Sequence, residues 1–153
     1  MGKISTAYDA IITLVEATLP NYQRLPNVYS LEENNQLYKE KGYALGLTEG
    51  GINTELLATC KRASWQQAFV LVLINQVTAT DHNTALLSSI DKALIEDAYK
   101  IFKAVESDIQ FNETVTKAIV TDNTGIEVLE DEGNIKKFLI TESIILVDFF
   151  DTL

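Results

Sequence analysis

Two long stretches of the chain place apolar residues three or four positions apart, which is the spacing of one face of an α-helix. The stripe of the first stretch consists of Ile4, Tyr8, Ile11, Val15 and Leu19. It predicts a helix over residues 5–18, which begins at a cap formed by Ser5 or Thr6 and ends before Pro20. The stripe of the second stretch consists of Leu86, Ile90, Leu94, Ala98, Ile101 and Val105. It predicts a helix over residues 84–106, long enough to cross a whole sheet.

The segment after the first helix contains helix signals of its own. Ser30 and Glu33 form an S-x-x-E capping box, which predicts a short helix from Leu31, and Gly42 is suited to end that helix. The sequence YALGL that follows predicts a strand. The next four residues, TEGG (48–51), predict a turn.

The middle of the chain predicts the centre of a sheet. Residues 69–74 form an unbroken apolar run, which is typical of a strand covered on both faces. Two interpretations of the flanking sequence stay open. Residues 54–62 form an antiparallel neighbour, separated from the central strand by a bend or bulge at 63–66, or residues 54–77 form one long bent strand.

After the second helix, apolar segments alternate with turn-forming residues. The order TVTKAIV, DNTG, IEVLE, DEGN and KKFLITESIILVDFF predicts a three-strand meander, with turns at 123–125 and 132–134. The last segment has apolar groups on both faces, at 144–147 and 149–150. Because a terminal strand is often an edge strand, this pattern favours a partner that covers one face. A central position in the sheet explains it nearly as well.

Together these elements predict a single domain over residues 1–153 of the α+β class. Its sheet is mostly antiparallel with five to six strands, and two long amphipathic helices pack on one face. No uncharged apolar stretch is long enough to span a membrane, and the first ten residues lack the pattern of a signal peptide. We therefore expect a soluble protein that is made in a cytoplasm.

The charge of the chain argues against one class of function. Twelve Lys and Arg stand against twenty-two Asp and Glu, a formal net charge of −10. General binding to the phosphate backbone of nucleic acids needs many cationic contacts, which this composition does not favour. DNA that passes nearby is not excluded, since a negative wall would repel it and let it slide.

Residue types that carry catalysis or bind metals are sparse. The single histidine, His82, lies in a polar TDHN stretch where a solvated or capping role is commonest. The single cysteine, Cys60, lies in a predicted strand and is best explained as a structural thiol. Acidic clusters occur at 96–97, at 130–132, and at Asp148 with Asp151. None has the spacing of a calcium loop, so we expect no catalytic residue, no cofactor and no metal ligand.

The order of motifs resembles a known family of assembly proteins. A helix, then RLPNVYSLEENN, then a helical turn ending in KGYAL, is similar to the tail terminator (tail completion) proteins of long-tailed bacteriophages. The similarity continues in the central strand AFVLVL, the long helix with DKALIEDAYKIF, and the final meander. The motifs that carry this resemblance are structural, and they cover nearly the whole chain in pattern.

The resemblance implies a mechanical function in the virion, at the head-proximal end of a tail that is assembled in the host cytoplasm. Such proteins form a six-membered ring on the last ring of the tail tube, stop its polymerisation, and provide the head–tail joining surface. The implied partners are further copies of the chain, the tail tube protein, and a head-completion or neck protein. Genomic DNA passes through the ring without sequence-specific binding, and no membrane is involved.

The resemblance assigns no individual contact, so the candidate interface residues come from the predicted turns, Trp65 and the terminal strand. These candidates are Thr48, Glu49, Gly50, Gly51, Trp65, Asp122, Asn123, Asp131, Glu132, Phe149 and Phe150. Trp65 is explained equally well as a core ring or as an interface anchor. The alternative functions are another neck or head–tail connector subunit, a small metal-dependent enzyme that uses the acidic clusters, and a general interaction module unrelated to phages.

Overall fold

A computed structural model describes residues 2–25, 41–53, 62–78, 84–111, 114–130 and 136–152. The helices are α1 (Lys3–Thr18) and α2 (Thr84–Ser107). The strands are β1 (Gln23–Arg24), β2 (Lys41–Asn53), β3 (Arg62–Thr78), β4 (Lys117–Asn123), β5 (Glu127–Glu130) and β6 (Lys136–Thr152). The helix predicted from Leu31, the segment 54–61 with Cys60, and His82 lie outside the described residues.

The six strands form one mixed sheet. Their order is β1-β2-β3-β6-β4, and β5 also pairs with β6. β1 is parallel to β2, and every other described pairing is antiparallel. The predicted α+β class is therefore confirmed, and the described residues form two helices and a six-stranded sheet that contains one parallel pair.

The apolar run at 69–74 occupies the middle of the sheet, as predicted. β3 lies between β2 and β6, and all residues of the run except the half-buried Val70 are buried. The described neighbours of β3 are β2 and β6, and residues 54–61, on which the two interpretations differ, lie outside the described residues. No shift interrupts the register of β3 with β6 from Arg62 to Thr78, so the bend predicted at 63–66 is not seen in that pairing.

The predicted turn at 48–51 is wrong, because these residues continue β2. The register with β3 shifts between Leu47 and Gly50, which is a β-bulge. At Gly50 an added Cβ would lie 2.9 Å from Cδ of the Gln67 side chain, with Oε1 closer still. The glycine therefore serves close packing against Gln67 within the sheet, where the sequence pattern suggested a chain reversal.

The predicted three-strand meander is also wrong. β4 and β5 both run antiparallel to β6, so they follow each other in one direction along the same side of it. The residues between them interrupt this strand without reversing it: the Asn123 Oδ1 accepts from the Gly125 amide at 2.8 Å, and Gly125 has φ +73°. The strand pairing is interrupted at these turn-forming residues. The Thr124 amide nevertheless keeps a hydrogen bond to β6, since it donates to the Glu142 carbonyl at 3.0 Å.

The last strand is central, which settles the two interpretations of its apolar pattern. β6 pairs with β3 on one side and with β4 and β5 on the other. The edge-strand interpretation is therefore wrong, and alternate residues of β6 point into a core on each face. One of them is Phe149, which is only 4% exposed.

Both helices contribute to a single core on one face of the sheet, called here the helix face. The buried apolar residues of α1 are Ala7, Ile11, Ile12 and Val15, and those in the described part of α2 are Leu94, Ala98, Ile101 and Val105. They join one cluster with alternate strand residues, among them Tyr43, Phe69, Leu71, Ile145 and Val147. A second buried cluster contains the intervening positions, Ala44, Val72, Ile74, Phe138 and Ile140, with Leu25.

The start of α1 differs from the prediction. Gly2 occupies the N-cap position and no side chain caps the helix, so Ser5 and Thr6 lie inside the first turns. The Thr6 hydroxyl donates to the Gly2 carbonyl at 3.0 Å. Of the helices that the structure describes, neither has the length and apolar character that crossing a membrane requires.

Candidate assembly surface

The two edges of the sheet expose different residues. Among the described strands, the first edge is defined here by β1 and the adjoining residues 41–51 of β2. The second edge consists of β4 and β5 with the neighbouring face of α2. Thr48 is exposed at the first edge, and Asp122 and Asn123 are exposed at the second. The structure therefore does not bring the predicted interface residues together; it separates them across the width of the sheet.

A contact between Tyr8 and Arg24 builds the first edge. The Tyr8 hydroxyl donates to the Leu45 carbonyl at 3.2 Å, and the Arg24 guanidinium donates to the same hydroxyl at 3.2 Å. The guanidinium carbon also lies 5.7 Å from the centre of the Tyr8 ring. The hydrogen bond to Tyr8 raises the pKa of Arg24 above its ordinary value, so this cation stays charged.

Lys41 adds a second cation to the first edge. Its ammonium lies 5.6 Å from the centre of the Tyr22 ring, a favourable position against the negative face of an aromatic group. Arg24 is exposed and Lys41 is half-buried. Two positive charges are thus held at one side of a chain whose net charge is −10.

Buried polar contacts fix the elements behind the first edge. The Tyr22 hydroxyl donates to Oδ2 of Asp97 at 2.7 Å, and Lys100 Nζ lies 3.4 Å from Oδ1 of the same carboxylate. This joins the connection between α1 and β1 to the middle of α2.

A second tyrosine contact joins α1 to β2. The Tyr43 hydroxyl donates to Oε1 of Glu16 at 3.0 Å. Burial, together with this hydrogen bond, raises the pKa of Tyr43 to about 12. The phenol therefore stays neutral at any pH at which the protein functions.

An apolar groove lies along the second edge, between α2 and β4. It has a volume of about 230 Å³ and is lined by Ile95, Ala98, Tyr99, Phe102, Val120, Asn123 and Ser143. The aromatic rings of Tyr99 and Phe102 stack with centres 6.0 Å apart, and Tyr99 is 58% exposed. Large apolar groups at the surface beside an edge strand are typical of a protein-binding site.

Polar contacts hold the floor of this groove. The Asn123 amide donates to the hydroxyls of Thr141 and Ser143 at 2.9 and 3.0 Å. The predicted interface residue Asn123 thus uses its side chain inside the subunit. Its neighbour Asp122 is exposed, as are Glu127 and Val128 of β5.

The remaining predicted interface residues lie in different surroundings. Trp65 is 37% exposed, so its side chain lies partly at the surface. Its indole N–H donates to Oε1 of Gln67 at 3.4 Å. Phe149 belongs to the core of the helix face, so its side chain is buried within its own subunit, and its contact with a partner stays a prediction. The backbones of Glu49, Gly51 and Phe150 lie in strands β2 and β6. Asp131 and Glu132 lie outside the described residues.

Across the described ranges, His, Cys, Asp and Glu residues form no group of three or more that could hold a metal ion. Asp97, from one of the acidic clusters, is buried against Tyr22. Among the described residues, Oδ1 of Asn75 and Oδ1 of Asp148 are buried atoms with no hydrogen-bond partner.

The groove was missed at the level of the sequence, although a signal for it exists. Ile95, Tyr99 and Phe102 are spaced by four and three residues, which places them on one side of α2. This second stripe lies beside the one that forms the core.

No protein-family model matches the chain, and no curated protein matches its sequence.

Proposed function

We propose that the chain is a structural virion protein, a phage tail terminator that assembles into a ring, and that it is not an enzyme. The observation that supports the proposal is the pair of unlike edges on one sheet: the first holds Arg24 and Lys41 against tyrosine rings, and the second holds an apolar groove between α2 and β4. A ring of identical subunits needs two different, complementary surfaces on each copy. The motif order from Arg24 to Leu47 adds the resemblance to tail terminators.

The fold suits a mechanical role. In this proposal the two long amphipathic helices form one layer on one face of a mostly antiparallel sheet, and both layers are rigid enough to carry contacts at their edges. The ring, with six copies, would cap the last ring of the tail tube and stop its growth. Its opposite face would bind a head-completion or neck protein.

The charge of the chain fits passage of the genome. A net charge of −10 on each copy makes the ring strongly negative, and like charge repels the DNA backbone. DNA would thus pass without binding. On this proposal the protein is made in the host cytoplasm and ends in the virion, at the head-proximal end of the tail.

Two measurements test the proposal. Native mass spectrometry and negative-stain electron microscopy of the purified chain are expected to reveal closed rings of one size. Mixing with polymerising tail tube protein is expected to cap the tubes and stop their elongation. A chain that remains monomeric at all concentrations and leaves tube growth unchanged would refute the ring and the terminator role together. Rings that bind a neck protein but no tube end would instead indicate a neck connector.

A further inference from the structure

The outer side of β2 carries backbone groups to which a further strand could bond. The Tyr43 carbonyl accepts from the Leu25 amide at 2.7 Å, just beyond β1 and on the side of β2 that faces away from β3. Along a strand, every second residue directs its amide and carbonyl to the same side. No register shift with β3 lies between Tyr43 and Leu45, so the Leu45 carbonyl points to the outer side as well. It is the next acceptor that a strand on this side would use.

A side chain of α1 occupies this acceptor. The Tyr8 hydroxyl donates to the Leu45 carbonyl at 3.2 Å. The Arg24 guanidinium, which can only donate, bonds to the same phenol oxygen at 3.2 Å and leaves the phenol proton for Leu45. A paired strand would place an amide nitrogen about 2.9 Å from the Leu45 oxygen, so it would compete with the phenol for one position.

The core and β1 together hold the Tyr8 ring in place. Its centre lies 6.4 Å from the centre of the Phe69 ring, which is fully buried in the middle of the sheet. The guanidinium carbon of Arg24 lies 5.7 Å from the centre of the Tyr8 ring. The contact between Tyr8 and the Leu45 carbonyl is therefore part of the packing of α1 on the sheet, and it lasts as long as α1 stays docked.

Three features that protect the edges of sheets occur together at this place. Edge strands are commonly very short, carry charged side chains, or are covered by a helix. β1 has two residues, Arg24 is an exposed cation, and α1 supplies the phenol of Tyr8. β2 itself has 13 residues, so two copies of it could pair along their outer sides if those sides were open.

We propose that Tyr8, held by Arg24 against the Leu45 carbonyl, is an autoinhibitory cap that closes the first edge to the β2 strand of a second copy. With the cap in place, copies contact each other through side chains and do not extend the sheet at this edge. When the cap is removed, the Leu45 carbonyl is free and two first edges pair. The cap acts within one subunit, so this inference goes beyond the proposed ring and does not rest on it.

A spin label at the first edge tests the cap. In a Cys60→Ser background, Thr48→Cys places a nitroxide at an exposed position of β2. Pairing of two first edges brings two labels together and broadens the electron paramagnetic resonance spectrum, and dilution with unlabelled chain reverses the broadening. Tyr8→Phe loses only the hydroxyl, and we expect broadening at a concentration about fivefold below any at which the parent shows it, the effect of one hydrogen bond. Tyr8→Ala also removes the ring, so its spectrum is expected to broaden at a lower concentration still.

Two controls make the outcomes decisive. A label at Asp122→Cys reports on the second edge, and its broadening in place of the Thr48 label would overturn the cap. Ile101→Ala weakens the buried core of α2 and leaves Tyr8 intact, so the Thr48 label is expected to stay narrow. Equal broadening with Ile101→Ala would overturn the cap, because association would then follow from lost stability. Spectra of both Tyr8 variants that match the parent would overturn it as well. Circular dichroism establishes which variants are folded, and Tyr8→Phe alone decides if Tyr8→Ala is not.

Discussion

The hydrogen bond between Tyr22 and Asp97 offers a sharp test of how the subunit is held together. The change Tyr22→Phe removes one hydroxyl and leaves the ring in place. The lost bond is 2.7 Å long, lies in a buried site, and joins residues 75 positions apart in the chain. Its acceptor belongs to a residue that is only 8% exposed, so water cannot readily replace the donor.

The magnitude follows from the chemistry of the acceptor. A hydrogen bond to a charged group contributes about 1.5–3 kcal/mol to stability, roughly twice the value of a neutral one. We therefore expect Tyr22→Phe to lower the free energy of unfolding by about 2 kcal/mol. For a domain of this size, that corresponds to a decrease in Tm of roughly 4–8 °C. Lys100 keeps its contact with Oδ1 of Asp97 and prevents a larger loss.

Urea unfolding followed by circular dichroism measures the difference. Tyr99→Phe is the matched control, because it makes the same chemical change on a ring that is 58% exposed, and we expect its effect to stay below about 0.5 kcal/mol. Each comparison is made at several protein concentrations, since assembly adds to apparent stability. Equal stabilities for the two variants would refute the reasoning, and a double-mutant cycle with Asp97→Asn would then locate the error.

Three further predictions concern the core, the bulge and the response to pH. Ile101→Ala, at a fully buried position of α2, is expected to destabilise the fold by about 2–5 kcal/mol, while Ile109→Ala, at a position 43% exposed, changes it little in the same urea titration. Gly50→Ala is expected to cost about 1–3 kcal/mol, because the new methyl group meets the buried Gln67 side chain; a change below 0.5 kcal/mol in thermal unfolding would show that Gln67 yields freely. With its pKa raised to about 12, Tyr43 stays neutral in the fold while tyrosine in the unfolded chain ionises near pH 10. The parent chain should therefore lose stability relative to Tyr43→Phe as the pH rises from about 10 to 12, and parallel pH profiles of the two proteins would contradict this.

Periodic patterns in the sequence were sufficient for the elements of the core. The stripe on α2 predicted a helix over 84–106, and the structure has Thr84–Ser107. The run at 69–74 predicted a central strand because only a strand with both faces covered tolerates unbroken apolar sequence, and β3 is central. These predictions depend on local spacing and burial alone, which a single sequence contains.

The turn-forming residues led to a wrong prediction of the topology, and the reason is physical. Glycine and asparagine relieve the same constraint in a hairpin turn, in a β-bulge and in an interrupted strand, since each needs an unusual backbone angle or room for a close neighbour. Gly50 serves a bulge and Gly125 a break in the second edge, where the pattern suggested reversals of the chain. What distinguishes these cases is the partner strand, and that partner is far away in sequence.

The predicted interface residues occupy different places in the fold. Thr48 and Asp122 lie exposed at the two edges, but nothing in their local pattern could indicate that they belong to opposite sides of the sheet. Phe149 was assigned to an interface because an apolar terminal strand can be covered by a partner or by its own subunit, and its own subunit covers it. The groove could not be predicted, because its shape depends on how α2 packs against β4, and that is visible only in the folded chain.

The break between β4 and β5 has a consequence for unwanted contacts between copies of the chain. A long, continuous run of backbone amides at a sheet border can template uncontrolled stacking, which ends in insoluble aggregates. Here the run is divided into two short pieces by Thr124, Gly125 and Ile126. At this side of the sheet, copies of the chain can therefore offer one another only short segments of strand border, which limits uncontrolled stacking.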